Sequence, residues 1–547
     1  MSSEDKIREE VTAAVQAERV TPEYQAALAK VKDLSGFIPE DSPSYAQLRQ
    51  DLDDEYIGLA RRFRSHAAGK YAYDNGVKRW FRWNGSHWEL DDDRYSLKAV
   101  AEIAPLFEAQ AAFFYELSKQ VFEAGDKERG KALRKVAKEW ETAAKRCKEP
   151  TSMKKILELA SAGADSLGLS GRGWNSHPNL VACKNTVLDL ETGRELKPDP
   201  CLYISQQCPV EWRGLHAEAP EWEQFLDQIF LGQQHLIDAV QSCAGYWLTG
   251  HNAIQEFYCF LGPQGGNGKG VFFRCLRAVM GSYYASLDPR MLMESKFGRN
   301  GTGPTPELLN LRGKRLAVAS ESKKGAEFSM DEIKRWTGGD PQVGRGMNSD
   351  NIIEFVPIFK ILFVTNRMPK LSDPTDNAFR RRLRIFRFLA QFTSVASEVD
   401  PQRNIFAMDP KLEQRLQQPA VLSAILAWMV RGAMRFYRNG MTIQYPPEIL
   451  AEADDYMMDQ DLIGQFIRQC LSITDGTGGR KEQAKTVYLS FKRWAMEERL
   501  ISEKYVPSMS AFGSDFKNRA EIRQVPPVNV VNYNVVLRDE WRPAQGI

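Results

Sequence analysis

The sequence has no two cysteines in a Cys-x-x-Cys spacing. Its eight cysteines, at 147, 183, 201, 208, 243, 259, 275 and 470, stand singly, and its six histidines are scattered. That excludes the common zinc frameworks and a disulfide scaffold, and it fits a reducing interior. A charge excess of one sign is missing too: Lys+Arg is 73 against 71 Asp+Glu, a formal net charge of +2. A polycation that holds nucleic acid by bulk charge is therefore excluded, and any nucleic-acid contact has to be a local patch. Long apolar runs are lacking. The best stretch, Ile353 to Thr365, is broken by Glu354, Pro357 and Lys360, so no membrane span is expected. The opening MSSEDKIREEV is charged from its first residues, unlike a secretory leader. Internal repeats and low-complexity tracts are also absent.

What is present is ordinary globular composition, 43% hydrophobic and 26% charged over 547 residues, enough for two to four domains. Residues 1 to about 66 read as polar helices with a break at Pro39 to Pro43. Asn75-Gly76 and Asn84-Gly85 then punctuate short aromatic runs, which predicts a three-strand meander from Tyr71 to Leu90. Its aromatics interleave with Arg79 and Arg82. Such a pattern either fills a small β core or stacks single-stranded bases, the core being the commoner use. Residues 96 to 165 read as helical, and Lys127 to Glu149 holds nine Lys/Arg against four Glu. A solvated face or a DNA-facing helix both fit that run. Short strands are expected over Asn179 to Trp212, and two packed helices over 221 to 250.

From there short apolar strands alternate with helices, the α/β pattern: Glu256-Leu261, Arg315-Ser320 and Phe359-Thr365 are the predicted strands. The central signal is FYCFLGPQGGNGKGVFFRCLRAVMG, 257 to 281. A buried strand runs into a Gly-rich turn and straight into a helix, which aims backbone N–H groups and a helix N-terminus at an anion. Gly265, Gly266 and Gly268 let the backbone approach phosphates, and Lys269 brings a point charge. The match to the strict phosphate-loop pattern is incomplete. Pro263 stands at its first glycine, with Gly262 one step earlier, and Gly270 stands where Ser or Thr would hold Mg2+. LRGKRLAVASES then delivers Glu321 to a strand end, FKILFVTN delivers Asn366, and AFRRRLRIFRF packs five arginines into 380 to 387. Taken singly, these are an exposed glutamate, a turn-capping amide and a basic surface. In this order they suit phosphoryl transfer: a metal-handling carboxylate, a γ-phosphate contact and arginines that neutralise transition-state charge.

The set GGNGKG, LAVASES, IKRWTGGDPQVGRGM, FVTNRMP and FRRRLR resembles superfamily 3 helicases of the phage and plasmid primase-helicase type, related to the poxvirus helicase-primase. WNGSHWE and NTVLDLETG resemble the domain that precedes the ATPase in that family. The resemblance implies an α/β fold: an AAA+ phosphate-loop ATPase core with a mixed α+β N-terminal domain and a C-terminal winged-helix unit. The implied division is a helical segment 1–66, a collar-like domain 67–215, an ATPase core 216–400, a helical lid 401–460 and a winged helix 461–547. It implies ATP and Mg2+ as cofactors, with Gly262, Gly265, Gly266, Asn267, Gly268, Lys269 and Gly270 as the nucleotide cradle. It further implies Glu321 as the catalytic and metal-handling carboxylate and Asn366 as the γ-phosphate sensor. By the same resemblance Arg381, with Arg382 as close alternative, would be the arginine reaching a neighbouring subunit's ATP. Arg345 would lie on a DNA-contacting hairpin, although Gly346 falls where a second basic residue is common. A recognition helix Met509 to Arg519 would follow Ser508, and Lys517, Arg519 and, just beyond it, Arg523 would contact phosphates, unless the winged helix docks protein instead.

The implied activity is ATP-dependent unwinding by a homohexameric ring that tracks single-stranded and forked DNA in the cytoplasm of a bacterial host. A separate primase or polymerase of the same element would be a partner, because residues 1 to 220 hold no zinc-binding cysteine set and no metal-carboxylate polymerase motif. The competing reading is an origin-binding initiator whose ATPase acts as a loading switch. A small-molecule kinase would have little use for the hairpin or the trans arginine.

Overall fold

The computed structural model describes all residues except 1–20, 41, 170–172, 296–304, 346–351, 477–479, 500, 504–505, 527–529 and 543–547. The chain divides into two compact units. One is Met1–Leu215 with Ala278–Tyr283 and Val343–Ile353; the other is His216–Arg277, Tyr284–Gln342 and Glu354–Ile547.

In the first unit the polar N-terminal stretch forms helices Pro22–Val31, Pro43–Asp53 and Glu55–Ala67. Thr21 and Ser42 cap the first two, each followed by a proline whose missing N–H costs nothing at that position. These helices share a core with Ala104–Glu123, Lys127–Lys148 and Pro150–Ala160, filled by Phe63, Phe107, Phe113 and Trp140.

Strands β1 (Tyr71–Asp74), β2 (Arg79–Trp83) and β3 (Trp88–Leu90) make the expected antiparallel meander, and β4 (Gly168–Leu169) adds beside β1 in parallel. The meander aromatics pack on one another and on Trp174 and Tyr203. Phe81 and Trp174 have centroids 4.5 Å apart, and Trp88 stacks on Tyr203 at 6.0 Å. Arg79 is paired with Asp92, and Arg82 with Glu89. Side chains so engaged make a small core, and the base-stacking alternative is set aside. Strands β5 (Leu180–Ala182), β6 (Val187–Asp189) and β7 (Glu195–Leu196) form a second antiparallel sheet.

Further along lie β8 (Phe257–Leu261), β9 (Tyr284–Leu287), β10 (Leu316–Ser320), β11 (Gln342–Arg345), β12 (Ile352–Phe355), β13 (Lys360–Thr365) and β14 (Leu383–Arg387). β11 and β12 pair with each other as a ribbon. The other five form one parallel sheet in the order β14-β8-β13-β10-β9. Its strands read as near-continuous apolar runs because both faces are covered. The fold class is thus mixed α/β around a parallel sheet.

The stretch from 402 to 460 opens with a strand instead of a helix. β15 (Gln391–Thr393) and β16 (Ile405–Ala407) form a short parallel ribbon, and helices Leu412–Leu416, Pro419–Arg438 and Pro447–Gln460 follow. Pro419–Arg438 is long and apolar enough to cross a membrane by length and composition. In this fold it is a core helix: Ile425, Leu426, Met429 and Val430 are fully buried. It crosses helix Gln234–Leu248 at glycine. A Cβ on Gly245 would lie 2.0 Å from the Ala433 nitrogen, and one on Gly432 would lie 2.0 Å from the Gln241 oxygen.

Beyond Asp461, three helices (Leu462–Cys470, Ala484–Glu497 and Met509–Lys517) enclose a core of Phe466, Phe491, Trp494, Phe512 and Phe516. Strand β17 (Leu471–Ile473) pairs across this segment with 535–537, and two-residue strands at 482, 524 and 532 form a second small sheet. Of the expected strand stretch Val528–Tyr533, Val528 and Asn529 lie outside the described residues, as does Gly346.

Candidate functional site

Registers in the parallel sheet bring three of the sequence motifs to one edge. Leu261 pairs with Thr365, and Ser320 pairs with Val364. Gly262, Asn366 and Glu321 therefore leave β8, β13 and β10 side by side at their C-terminal ends, where an open parallel sheet binds its ligands. β13 runs between β8 and β10, so Asn366 is the immediate neighbour of the Gly-rich loop and Glu321 is one strand further away.

The loop 262–268 then feeds helix Lys269–Met280. Gly262 sits against the two side chains that close the loop: a Cβ there would lie 1.9 Å from Asn267 Nδ2 and 2.1 Å from Lys269 Nζ. Gly266 adopts φ +69°. Its carbonyl accepts from the Phe392 N–H at 2.7 Å, and a Cβ on it would meet the Phe392 carbonyl at 2.9 Å. Ribbon β15–β16 is thus fastened to the loop by backbone pairing. Gly265 has no atom within 4 Å of a Cβ added to it, so the loop is open on that side.

Lys269 is 5% exposed. Its Nζ donates to the Gly262 carbonyl at 3.2 Å and to Asn366 Oδ1 at 3.0 Å. Both acceptors are neutral. Burial pulls the lysine's pKa down to about 8, and nearby Glu321 opposes that shift. The result is a buried ammonium lacking full charge compensation at the N-terminus of a helix, which fits an incoming phosphate.

Glu321 is exposed and has φ +54°. A glutamate in the left-handed region costs about 1–2 kcal/mol. It is held there as β10 ends, its N–H donating to the Val364 carbonyl at 2.8 Å. Among the described residues no group of three or more His, Cys, Asp or Glu side chains could hold a metal. The donor set here is one carboxylate, which suits a metal that arrives with phosphate oxygens and water.

Position 270, which lacks a hydroxyl, has a neighbour that sequence reasoning missed. Arg274 folds back one turn, and its Nη1 would lie 2.9 Å from a Cβ at 270. Glu413 holds that guanidinium with two bonds, 2.5 Å to Nε and 2.7 Å to Nη2. No motif contains this pair, because it is 139 residues apart in the chain.

The arginine run does not join this edge. Arg381 and Arg382 precede β14, whose Leu383 pairs with Phe257 at the start of β8. They stand at the opposite edge of the sheet, about 20 Å along the strands from the loop. Their environments differ. Arg382 is 7% exposed and donates to Thr337 Oγ1, the Ala378 carbonyl and Gln255 Oε1 at 3.1, 2.7 and 2.9 Å. Burial, then the neighbouring Arg381, hold its pKa below the usual arginine range. Arg380, Arg384 and Arg387 pair with Asp454, Glu256 and Glu452. Arg381 alone of the five is both exposed and without a carboxylate partner among the described residues; it donates to Gln255 Oε1 at 3.2 Å.

The expected DNA-facing residues fare unequally. Arg345 ends β11 in the two-stranded ribbon. Lys517 is exposed at the end of helix Met509–Lys517, which Ser508 caps at Ala511. Arg519 is engaged within the chain: both its Nη atoms bond Asp461, at 2.8 and 2.7 Å, and it pairs with Asp515. Its charge is thus spent on two carboxylates, and it ties the end of helix Met509–Lys517 to the start of helix Leu462–Cys470.

Comparison with known proteins bears on this geometry. Residues 60–231 match a family model described as "D5 N terminal like", and residues 260–382 match a "Family of unknown function (DUF5906)". Together with the viral relatives below, these two matched regions make the chain similar to phage and viral primase-helicases. It is 24% identical over 351 residues to "Putative helicase L207/L206" of Acanthamoeba polyphaga mimivirus, covering 62% of this chain and 35% of that one. It is 26% identical over 343 residues to "Putative helicase 121R" of Invertebrate iridescent virus 3, covering 58% and 35%. The chain thus spans about a third of the length of the curated relatives it matches. A solved structure titled as the apo C-terminal region of NrS-1 overlays with a TM-score of 0.42 at 11% identity, covering 88% of this chain and 99% of that one.

Proposed function

We propose that the chain is an ATP-driven DNA helicase motor of the superfamily 3 AAA+ type, working as a homohexameric ring on single-stranded DNA in a replication system. The observation that carries this reading is Lys269: a buried ammonium held by two neutral oxygens, between a glycine cradle and Asn366, with Glu321 close by. In this reading the loop from Gly262 to Gly270 cradles ATP, with its N–H groups and Lys269 on the phosphates. Glu321 handles Mg2+ and polarises the attacking water, and Asn366 senses the γ phosphate. Mg2+ supplies charge neutralisation on the phosphates when bound.

Arg381 completes the reading in trans. It is exposed at the sheet edge opposite its own Lys269, so in a ring it faces a neighbour's nucleotide, while the buried Arg382 braces the turn behind it. Arg345, on the β11–β12 ribbon, would line the channel. Segment 461–547 would act as a winged helix with Lys517 toward DNA. Six copies of a few local cations suit a chain whose net charge is only +2.

The test is ATP hydrolysis by the purified protein with and without single-stranded DNA, beside Lys269→Ala. DNA-stimulated turnover that the variant loses is the expected result. Turnover that survives in Lys269→Ala would remove the phosphate-gripping role.

A further inference from the structure

The helix Lys127–Lys148 carries a charge pattern that the motor reading leaves unused. At about 100° per residue, Lys127, Lys131, Arg134, Lys135, Lys138, Thr142 and Lys145 fall within one sector about 100° wide. That sector holds six cations, one threonine and no acid. All six cations are exposed. The opposite face, with Leu133, Ala137, Trp140 and Ala144, is buried in the core of the first unit.

Crest and flanks differ in what they bond. On the flanks, Arg146 reaches Glu55, Lys148 reaches Glu108, and Glu139 takes Arg49, so those charges tie the helix to its neighbours. On the crest, Lys131 and Lys145 meet only Glu128 and Glu141 of the same helix. Lys127, Arg134, Lys135 and Lys138 have no carboxylate at ion-pair distance among the described residues. Like charges three and four residues apart, such as Lys131 with Lys135 and Arg134 with Lys138, destabilise a helix. A merely solvated face is better served by mixed signs.

We infer that this crest is a docking strip for a nucleic-acid strand, held by its phosphodiester backbone. From Lys127 to Lys145 the strip is about 27 Å long, the reach of several successive phosphates. Lysine and arginine on a straight exposed ridge contact phosphates without reading bases, so the strip binds strands irrespective of sequence. It lies in the first unit, whereas the residues assigned to nucleotide belong to the second. The inference rests on the motor reading for the identity of the polyanion.

The test uses the full chain carrying Arg134→Gln, Lys135→Gln and Lys138→Gln together. A control removes three exposed lysines elsewhere in the same unit, Lys78, Lys184 and Lys197, in the same way. Anisotropy of a labelled oligothymidylate and of a labelled duplex is followed against salt, with circular dichroism as the check on folding. The strip variant should bind at least about tenfold more weakly at low salt, and its log–log salt slope on the single strand should be smaller by about 2. The control should keep the wild-type slope; the duplex arm shows whether the strip takes paired strands as well. Wild-type affinity and slope in the strip variant would overturn the inference. So would losing binding to polyglutamate while DNA binding stays unchanged, since the strip would then serve an acidic protein. ATP turnover separates the two readings: a chain that hydrolyses no ATP yet shows strip-dependent DNA binding loses the motor and keeps the strip.

Discussion

Lys269 is charged in a place that resists charge, and its titration follows. Burial holds its pKa at about 8 in the nucleotide-free protein. If Lys269 grips phosphate as proposed, affinity for a fluorescent ATP analogue should be level near pH 7 and fall above about pH 8, approaching tenfold per unit. Lys269→Arg, which does not titrate there, should stay level; a wild-type profile as flat as the variant's would refute the role. Stability of the free protein moves the other way. The unfolded lysine keeps its ordinary, higher pKa, so the charged form destabilises the fold at neutral pH, and that penalty shrinks as pH rises through about 8. The adjacent arginines separate by the same logic. Arg382→Ala empties a buried site with three hydrogen bonds and should cost about 2–3 kcal/mol in a denaturant melt. Arg381→Ala should leave the melt and nucleotide affinity unchanged and abolish turnover; normal turnover would remove its assignment.

Among the elements, the parallel sheet decides most. Insertion of β13 between β8 and β10 sets Asn366 against Lys269 and leaves Glu321 one strand away. The alternating strand-and-helix pattern was visible in the chain, but the order of strands across a sheet is a matter of packing. The helix crossing at Gly245 and Gly432 is a second such feature. With a Cβ at either glycine 2.0 Å from a backbone atom of the other helix, Gly432→Ala must push the helices apart. It should lower stability by about 3 kcal/mol, read as a drop in Tm. An unchanged Tm would mean that the two helices pack less closely than described. The same crossing makes the apolar run Pro419–Arg438 a core helix, which composition alone does not distinguish from a membrane span.

Across the whole molecule, Lys269 and the exposed Arg381 stand at opposite edges of one sheet. If Arg381 serves a neighbour's nucleotide, neither defect is complete in mixed assemblies. Lys269→Ala protein offers an intact arginine, and Arg381→Ala protein offers an intact cradle. Mixing two inactive variants should therefore restore part of the ATP turnover, with a maximum at intermediate ratios. Turnover that stays at zero across all ratios would exclude a shared site.

Short-range order in the chain sets which groups reach the edge of the sheet. GGNGKG, the glutamate after LAVAS and the asparagine after LFVT are local, because a strand end, a glycine turn and a helix start are set by neighbouring residues. The aromatic meander was legible for the same reason, since Asn-Gly turns and period-two alternation act over a few residues. Long-range packing settles which of several like residues stays exposed. Five arginines look alike in FRRRLRIFR, and burial together with partners from 255, 256, 337, 378, 452 and 454 leaves Arg381 exposed. Arg519 reads as a DNA contact until Asp461, 58 residues upstream, takes its guanidinium. Charge and hydrogen-bond capacity belong to the residue, but whether they are already spent depends on partners brought close only by the fold.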